Sequence, residues 1–229
     1  MKRLILYSFL FSITLSSCHF GNGKRIRGNG NIKSETRNAG QFSKIDVGGN
    51  IDVYVKQDSV SAVRIEADEN LLEYIHITVD DGTLDIRNEE GYNLSSVKGI
   101  KVYVSGPSFR YLEASGACNI LSENQIDNYE KIGIHLTGAS NAVLEINSPK
   151  IEVELTGASY ITLKGKCKTL SLDGSGASGF KCFELMAEEV SIELSGASNA
   201  EVFASMKLDA DISGAADIKY KGNATVSQH

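Results

Sequence analysis

Tryptophan is absent from this sequence, proline occurs twice and cysteine four times in 229 residues. With so little proline, the chain must turn by other means, and its 22 glycines are the available supply. The cysteines are Cys18, Cys118, Cys167 and Cys182, with no close pair and no Cys-x-x-Cys. That spacing excludes a disulfide framework and a structural zinc site, and the last three read as small buried hydrophobes. His19, His76 and His229 are scattered without ligand spacing, so neither a metal nor a cofactor is expected. Acidic residues outnumber basic ones, for a net charge of −6. Nucleic acid partners need a clustered positive face and are excluded on this balance. A nucleophilic Gly-x-Ser-x-Gly elbow is missing too.

Long apolar runs are also lacking, save one. After Met1-Lys2-Arg3, residues 4–15 read LILYSFLFSITL. Such a stretch is too short to span a membrane and has the form of a signal peptide, assigned to residues 1–17. It ends in Leu15-Ser16-Ser17-Cys18, which resembles the bacterial lipobox. That resemblance implies cleavage before Cys18, lipid on its thiol and a membrane as partner through the anchor. Residues 18–39 are rich in Gly, Asn and charge and read as a flexible tether. Lys24, Arg25, Arg27 and Lys33 within it could lie against anionic head groups. The rest, 40–229, has the length of one domain.

What the sequence has in abundance is repetition. Thr137-Gly138-Ala139-Ser140 returns as Thr156-Gly157-Ala158-Ser159, Ser175-Gly176-Ala177-Ser178 and Ser195-Gly196-Ala197-Ser198. Looser copies surround Gly116 and Gly214. Apolar residues alternate with polar ones on both sides of each glycine. Leu112, Ile134, Val153, Leu172, Ile192 and Ala210 stand four residues before it. Period two broken by small residues is the mark of strands. A unit of this length cannot bury its apolar face alone, so copies must stack. It is too short for a propeller blade and lacks the asparagine and helix of a leucine-rich repeat. What remains is an all-β chain folded as a right-handed parallel β-helix with about 19–20 residues per coil. Gly116, Gly138, Gly157, Gly176, Gly196 and Gly214 are then its corners, where a side chain would obstruct. The adjoining alanine is expected to sit where nothing larger fits, and the Ser and Thr hydroxyls to bond along the stack.

Regular coils are expected over 111–222. Residues 40–110 are less regular and should start and cap the stack, since an open end exposes strand edges. Asp80-Asp81-Gly82 marks a hairpin turn, DENLLEYI a single helical turn, and 88–97 a protruding loop.

Three residues before each motif glycine stand Glu113, His135, Glu154, Asp173, Glu193 and Asp211. Glu152 and Asp209 share their face. By period two all point outward and form an acidic stripe along the solenoid. It reads as a solvated polar face, as a cation or partner site, or as the acid pairs of glycoside cleavage. No asymmetric acid–base pair stands out from the ladder. Tyrosines crowd the N-terminal half and suit strand packing or sugar binding, with Tyr92 placed in a loop.

The run FSKIDVGGNIDVYV, then DENLLEYI, then the repeated Ser/Thr-Gly-Ala-Ser resemble the putative adhesin "head GIN" domain family common in Bacteroidetes. The resemblance covers about residues 40–222. It implies a right-handed β-helix and a secreted or cell-envelope location, and it supplies no catalytic residues. A non-catalytic envelope adhesin or scaffold that takes a glycan or protein ligand follows from it. The alternatives are a pectinase- or lyase-type β-helix enzyme and a structural envelope protein that binds another protein.

Overall fold

Inward and outward side chains alternate along nearly every strand of this protein, because each coil is buried on one side and wet on the other. The computed structural model describes residues 23–228. The expected signal peptide, Cys18 and His19 lie outside them, as does His229. The architecture is a parallel β-solenoid of about six turns.

The regular part is built from Tyr111–Gly116, Asn119–Ser122, Ile126–Asp127, Lys131–Leu136, Asn141–Leu155, Tyr160–Gly174, Gly179–Leu194 and Asn199–Ile212. Each pairs in parallel with the equivalent segment one coil away. Leu155 pairs with Gly174, Gly174 with Leu194 and Leu194 with Ile212, so successive coils take 19, 20 and 18 residues. Register shifts at Thr162/Lys164 and Cys182/Met186 absorb the unequal lengths.

Inward rows fill the interior. Leu112, Ile134, Val153, Leu172, Ile192 and Ala210 are all buried, as the spacing predicts. Volumes compensate between rows. Gly174 stands where a leucine stands in neighbouring coils, and a Cβ there would lie 2.6 Å from the Phe180 ring. The three described cysteines are free and buried.

At each corner the glycine has positive φ, from +74° at Gly196 to +90° at Gly116. A Cβ on Gly157 would lie 2.5 Å from the carbonyl oxygen of Gly138 in the preceding coil. The same geometry recurs from Gly116 to Gly214. The next residue's N–H donates to that carbonyl, as Ala158 does to Gly138 at 2.8 Å. The fourth motif residue is buried, and its hydroxyl turns back on its own corner: Ser178 Oγ donates to Ser175 O at 2.7 Å. Hydroxyl bonding runs both ways: the shorter bonds close on the same turn, and longer ones reach the neighbouring coil as expected, Ser195 Oγ donating to Gly174 O at 3.5 Å and Ser213 Oγ to Leu194 O at 3.4 Å. The alanines are exposed, contrary to the expectation of tight space. The structure gives no steric reason for alanine there.

A seventh corner was hidden in the sequence. Gly49 has φ +111° and its carbonyl accepts the Ala117 N–H at 2.8 Å. Strands Lys44–Gly49 and Asp52–Gln57 form a coil against Tyr111–Gly116 and Asn119–Ser122. On its far side lie Thr83–Asn88 and Lys101–Gly106. Antiparallel strands then close the stack: Ala62–Asp68 on Lys101–Gly106, and Ile75–Asp80 on Thr83–Asn88. The hairpin turns at Asp81 (φ +43°) and Gly82 (φ +68°), and a 3₁₀ turn spans Glu69–Tyr74. Residues 40–110 are thus the start and the cap. At the other end Asp217–Lys221 and Thr225–Gln228 pair only with Asn199–Ile212 among the described residues.

Two expectations are corrected. Part of the segment read as a tether is ordered: Ile32–Arg37 pairs antiparallel with Ala62–Asp68, and Lys24–Arg27 pairs with Tyr92–Ser95. The same pairing turns the middle of the expected 88–97 loop into a strand, with Leu94 buried beneath it. Asp68 is the latch. Fully buried, its carboxylate accepts from Gly30 N at 2.7 Å, Ser96 Oγ at 2.6 Å and Val97 N at 3.0 Å. One charged group thereby ties together both segments that composition marked as loose.

Candidate functional site

Stacking converts a fixed offset from glycine into a straight row of side chains, spaced about 4.8 Å apart. The predicted stripe is such a row. Glu113 pairs with His135, His135 with Glu154, Glu154 with Asp173, Asp173 with Glu193 and Glu193 with Asp211. All six face outward, half-buried at Glu113 and His135 and exposed from Glu154 onward. Glu152 and Asp209 lie one outward position away on the same face.

The row extends further than its glycine spacing revealed. Asp46 pairs with Glu113 on one side and Asp85 on the other. Asp46 stands three residues before Gly49, the shared offset, so recognising that corner in VGGN would have found it. Arg87 is inserted here. Its guanidinium pairs with Asp46, donates to Asp85 at 3.1 Å through Nε and reaches Ser115 Oγ at 3.1 Å. Gly48 leaves the room, since a Cβ there would overlap Arg87 Nη1. Burial raises the Asp46 carboxyl and outweighs the pull of Arg87. The Arg87 guanidinium is held above its ordinary value: burial opposes its charge, but Asp46 and Asp85 prevail.

Charge along the rest of the face is partly compensated. Lys131 and Lys150 flank Glu152 and hold its carboxyl below the usual range. His135 sits between Glu113 (Nδ1 at 3.5 Å) and Glu154 (Nε2 at 3.7 Å). Lys207 pairs with Asp209 at 2.8 Å. Asp173, Glu193 and Asp211 take part in no ion pair among the described residues. No group of His, Cys, Asp and Glu there has the geometry to hold a metal ion.

Tyr111, one of the N-terminal tyrosines that suit strand packing or sugar binding, stands on this face. Its ring leans over buried Gly133, where a Cβ would lie 2.8 Å from Cδ2. A hollow of about 220 Å³ follows, lined by Tyr111, His135, Glu152, Glu154 and Asp173. Burial and then Glu113 raise the Tyr111 hydroxyl pKa. This is a shallow aromatic ledge beside exposed carboxylates. It has the chemistry to meet a polar ligand, while the asymmetric acid–base pair in a dry cleft that glycoside cleavage uses is not assembled.

Comparison with known proteins places this geometry. A family model described as "Putative auto-transporter adhesin, head GIN domain" matches residues 41–224. The chain belongs to this family. Among solved structures, a "putative adhesin" from Bacteroides fragilis superposes with a TM-score of 0.83 at 22% identity, covering 89% of this chain and 95% of that one. A "putative lipid binding protein" from Parabacteroides distasonis gives 0.71 at 22% identity, covering 90% and 95%. A "putative adhesin" from Parabacteroides merdae gives 0.70 at 22% identity, with the same coverage. At these identities the likeness is one of fold. The curated proteins hold no match to the chain. No helix among the described residues is long and apolar enough to cross a membrane.

Proposed function

We propose that this chain is a non-catalytic lipoprotein of the cell envelope, anchored at the outer membrane through Cys18, whose solenoid serves as an adhesin-type binding or scaffold module. Membership of the adhesin head family over nearly the whole solenoid is the observation that carries this reading. Supporting it, the outward rows are long, straight and held on a stack of parallel coils, which suits an extended ligand better than a small reacting group. The ordered strand at Lys24 begins six positions after Cys18. A lipid on Cys18 would therefore hold the capped end near the bilayer, within about 20 Å.

Two measurements test the reading. Replacing Cys18 with Ala should release the protein from the membrane fraction and abolish lipid labelling, and continued labelling would refute the anchor. Beads coated with the Cys18→Ala chain should adhere to whole cells or envelope preparations, and beads that adhere to none would refute the adhesin role. The competing hydrolase or lyase reading predicts new reducing ends or unsaturated products from pectins, host glycans or peptidoglycan. We expect none.

A further inference from the structure

Around the glycine corner from the acidic stripe, a second outward face has the opposite character. Tyr103, Tyr54, Leu121, Val143 and Thr162 stand in register on successive coils and point away from the core. Apolar residues at exposed positions weaken solubility and add nothing to the interior, so a run of them calls for a cause. Tyr54 and Tyr103 stack with centroids 5.0 Å apart, and Arg64 lies 3.8 Å over the Tyr103 ring. That end is a rigid wall. Beyond it Val143 stays 47% exposed.

Beside this run lies a ladder of amides. Asn119 Nδ2 donates to Asp52 Oδ1 at 2.6 Å, and Asn141 Nδ2 donates to Asn119 Oδ1 at 3.1 Å. Each amide keeps a further N–H, and Asn141 keeps its carbonyl oxygen. Tyr160 is next, 46% exposed and leaning over Gly179, where a Cβ would lie 2.5 Å from its ring. Asp52, Asn119, Asn141, Leu121 and Val143 enclose a hollow of about 210 Å³.

The chemistry selects among occupants. Two outward rows over about four coils make a strip on the order of 200 Å². A stable protein partner covers about 800 Å² on each side, so the strip is too narrow for one. From Asn119 and Leu121 to Thr162 neither row carries a formal charge. Anionic head groups and charged polymers would meet no counter-charge here. An apolar floor bordered by amide donors and acceptors, repeating at the coil rise, instead matches a chain of sugar rings, each with a C–H face and a rim of hydroxyls.

We propose that this face binds a neutral, unbranched oligosaccharide, with Leu121 and Val143 under the C–H faces of its rings and Asn119 and Asn141 on its hydroxyls. The proposal deepens the adhesin reading and rests on it. The test is calorimetric titration of the Cys18→Ala chain with cellohexaose, chitohexaose and mannohexaose, with an oligogalacturonate hexamer as the charged control. At least one neutral hexamer should bind and the charged one should not. Val143→Asp should weaken binding about tenfold, and so should Asn141→Ala, which removes a half-buried amide and its hydrogen bond to Asn119. Glu188→Gln, at an exposed position outside the strip, should leave binding unchanged. Binding of none of the neutral hexamers, or binding that survives both variants, would overturn the site. Bead adhesion separates the two levels. Adhesion that persists in Val143→Asp ends the oligosaccharide site and leaves the adhesin role standing, whereas beads that adhere nowhere end the role itself.

Discussion

Gly157→Ala isolates what the repeated glycine is for. Gly157 has φ +78°, which costs a residue with a side chain about 1–2 kcal/mol. Its new Cβ would stand 2.5 Å from the Gly138 carbonyl oxygen, which already accepts the Ala158 N–H at 2.8 Å. The coils could make room only by parting, and that hydrogen bond would stretch first, at about 0.5–1.5 kcal/mol. Overpacking against rigid backbone adds about 1–3 kcal/mol. The sum is about 2.5–6.5 kcal/mol, which lowers Tm by roughly 5–25 °C in a domain of this size. Gly82→Ala is the matched control. Gly82 also has positive φ, +68°, but nothing lies within 4 Å of its would-be Cβ. It should bear only the conformational cost, a Tm change of a few degrees. Calorimetric melting of the two variants decides. Equal shifts would refute the argument that stacking, beyond backbone angle, demands glycine.

Four further outcomes are expected. Asp68→Asn should free the N-terminal strands, so that trypsin cuts after Arg25 and Arg27 under native conditions; an unchanged digest would refute the latch. Burial raises the Asp68 carboxyl, but hydrogen bonds from Ser96, Gly30 and Val97 outweigh it and leave the value lowered. The latch therefore stabilises above the ordinary aspartate pKa of about 3.9 and fails as pH falls through the lower folded value, so wild-type digestion by pepsin should begin at this segment in acid. Millimolar calcium should leave Tm unchanged, since lysines and Arg87 already compensate part of the stripe; a rise lost in Glu154→Gln, Asp173→Asn, Glu193→Gln would show a cation site. Burial pushes the Cys167 and Cys182 thiols up to about 12, so thiol reagents at neutral pH should modify them only on unfolding.

The coils were legible because stacking makes each position answer to the same constraint in every repeat. One glycine offset sufficed to place the core rows and the acidic stripe. Legibility failed where partners are distant in sequence. KRIR and IKSETR contain almost no periodic apolar residues, and they are strands only because Tyr92–Ser95 and Ala62–Asp68 lie beside them. Their latch, Asp68, reads in the sequence as one more surface acid. Gly49 escaped because Asn50 and Ile51 replace the usual Ala-Ser after it. Arg87 escaped because two of its partners, Asp46 and Ser115, come from other strands distant in sequence. Each miss is non-local, which a repeat pattern cannot express.

The outward faces then separate stability from function. On both sides of the corner the backbone is the same parallel ladder, the solvent is the same and the corner spacing is shared. Stability gives either face reason to be polar and neither reason to differ from the other. Yet one carries Glu154, Asp173, Glu193 and Asp211 in direct succession, where each like-charge contact at about 5 Å costs about 1 kcal/mol in water. The other carries no charge over three coils, from Asn119 and Leu121 to Thr162, and exposes Val143 and Tyr160 instead. A cost on one side and an apolar strip on the other, on a backbone that requires neither, are what selection for two different encounters would leave. On the proposed reading, the acidic row would keep its face soluble and repel anionic surfaces, so that contact would fall to the uncharged strip.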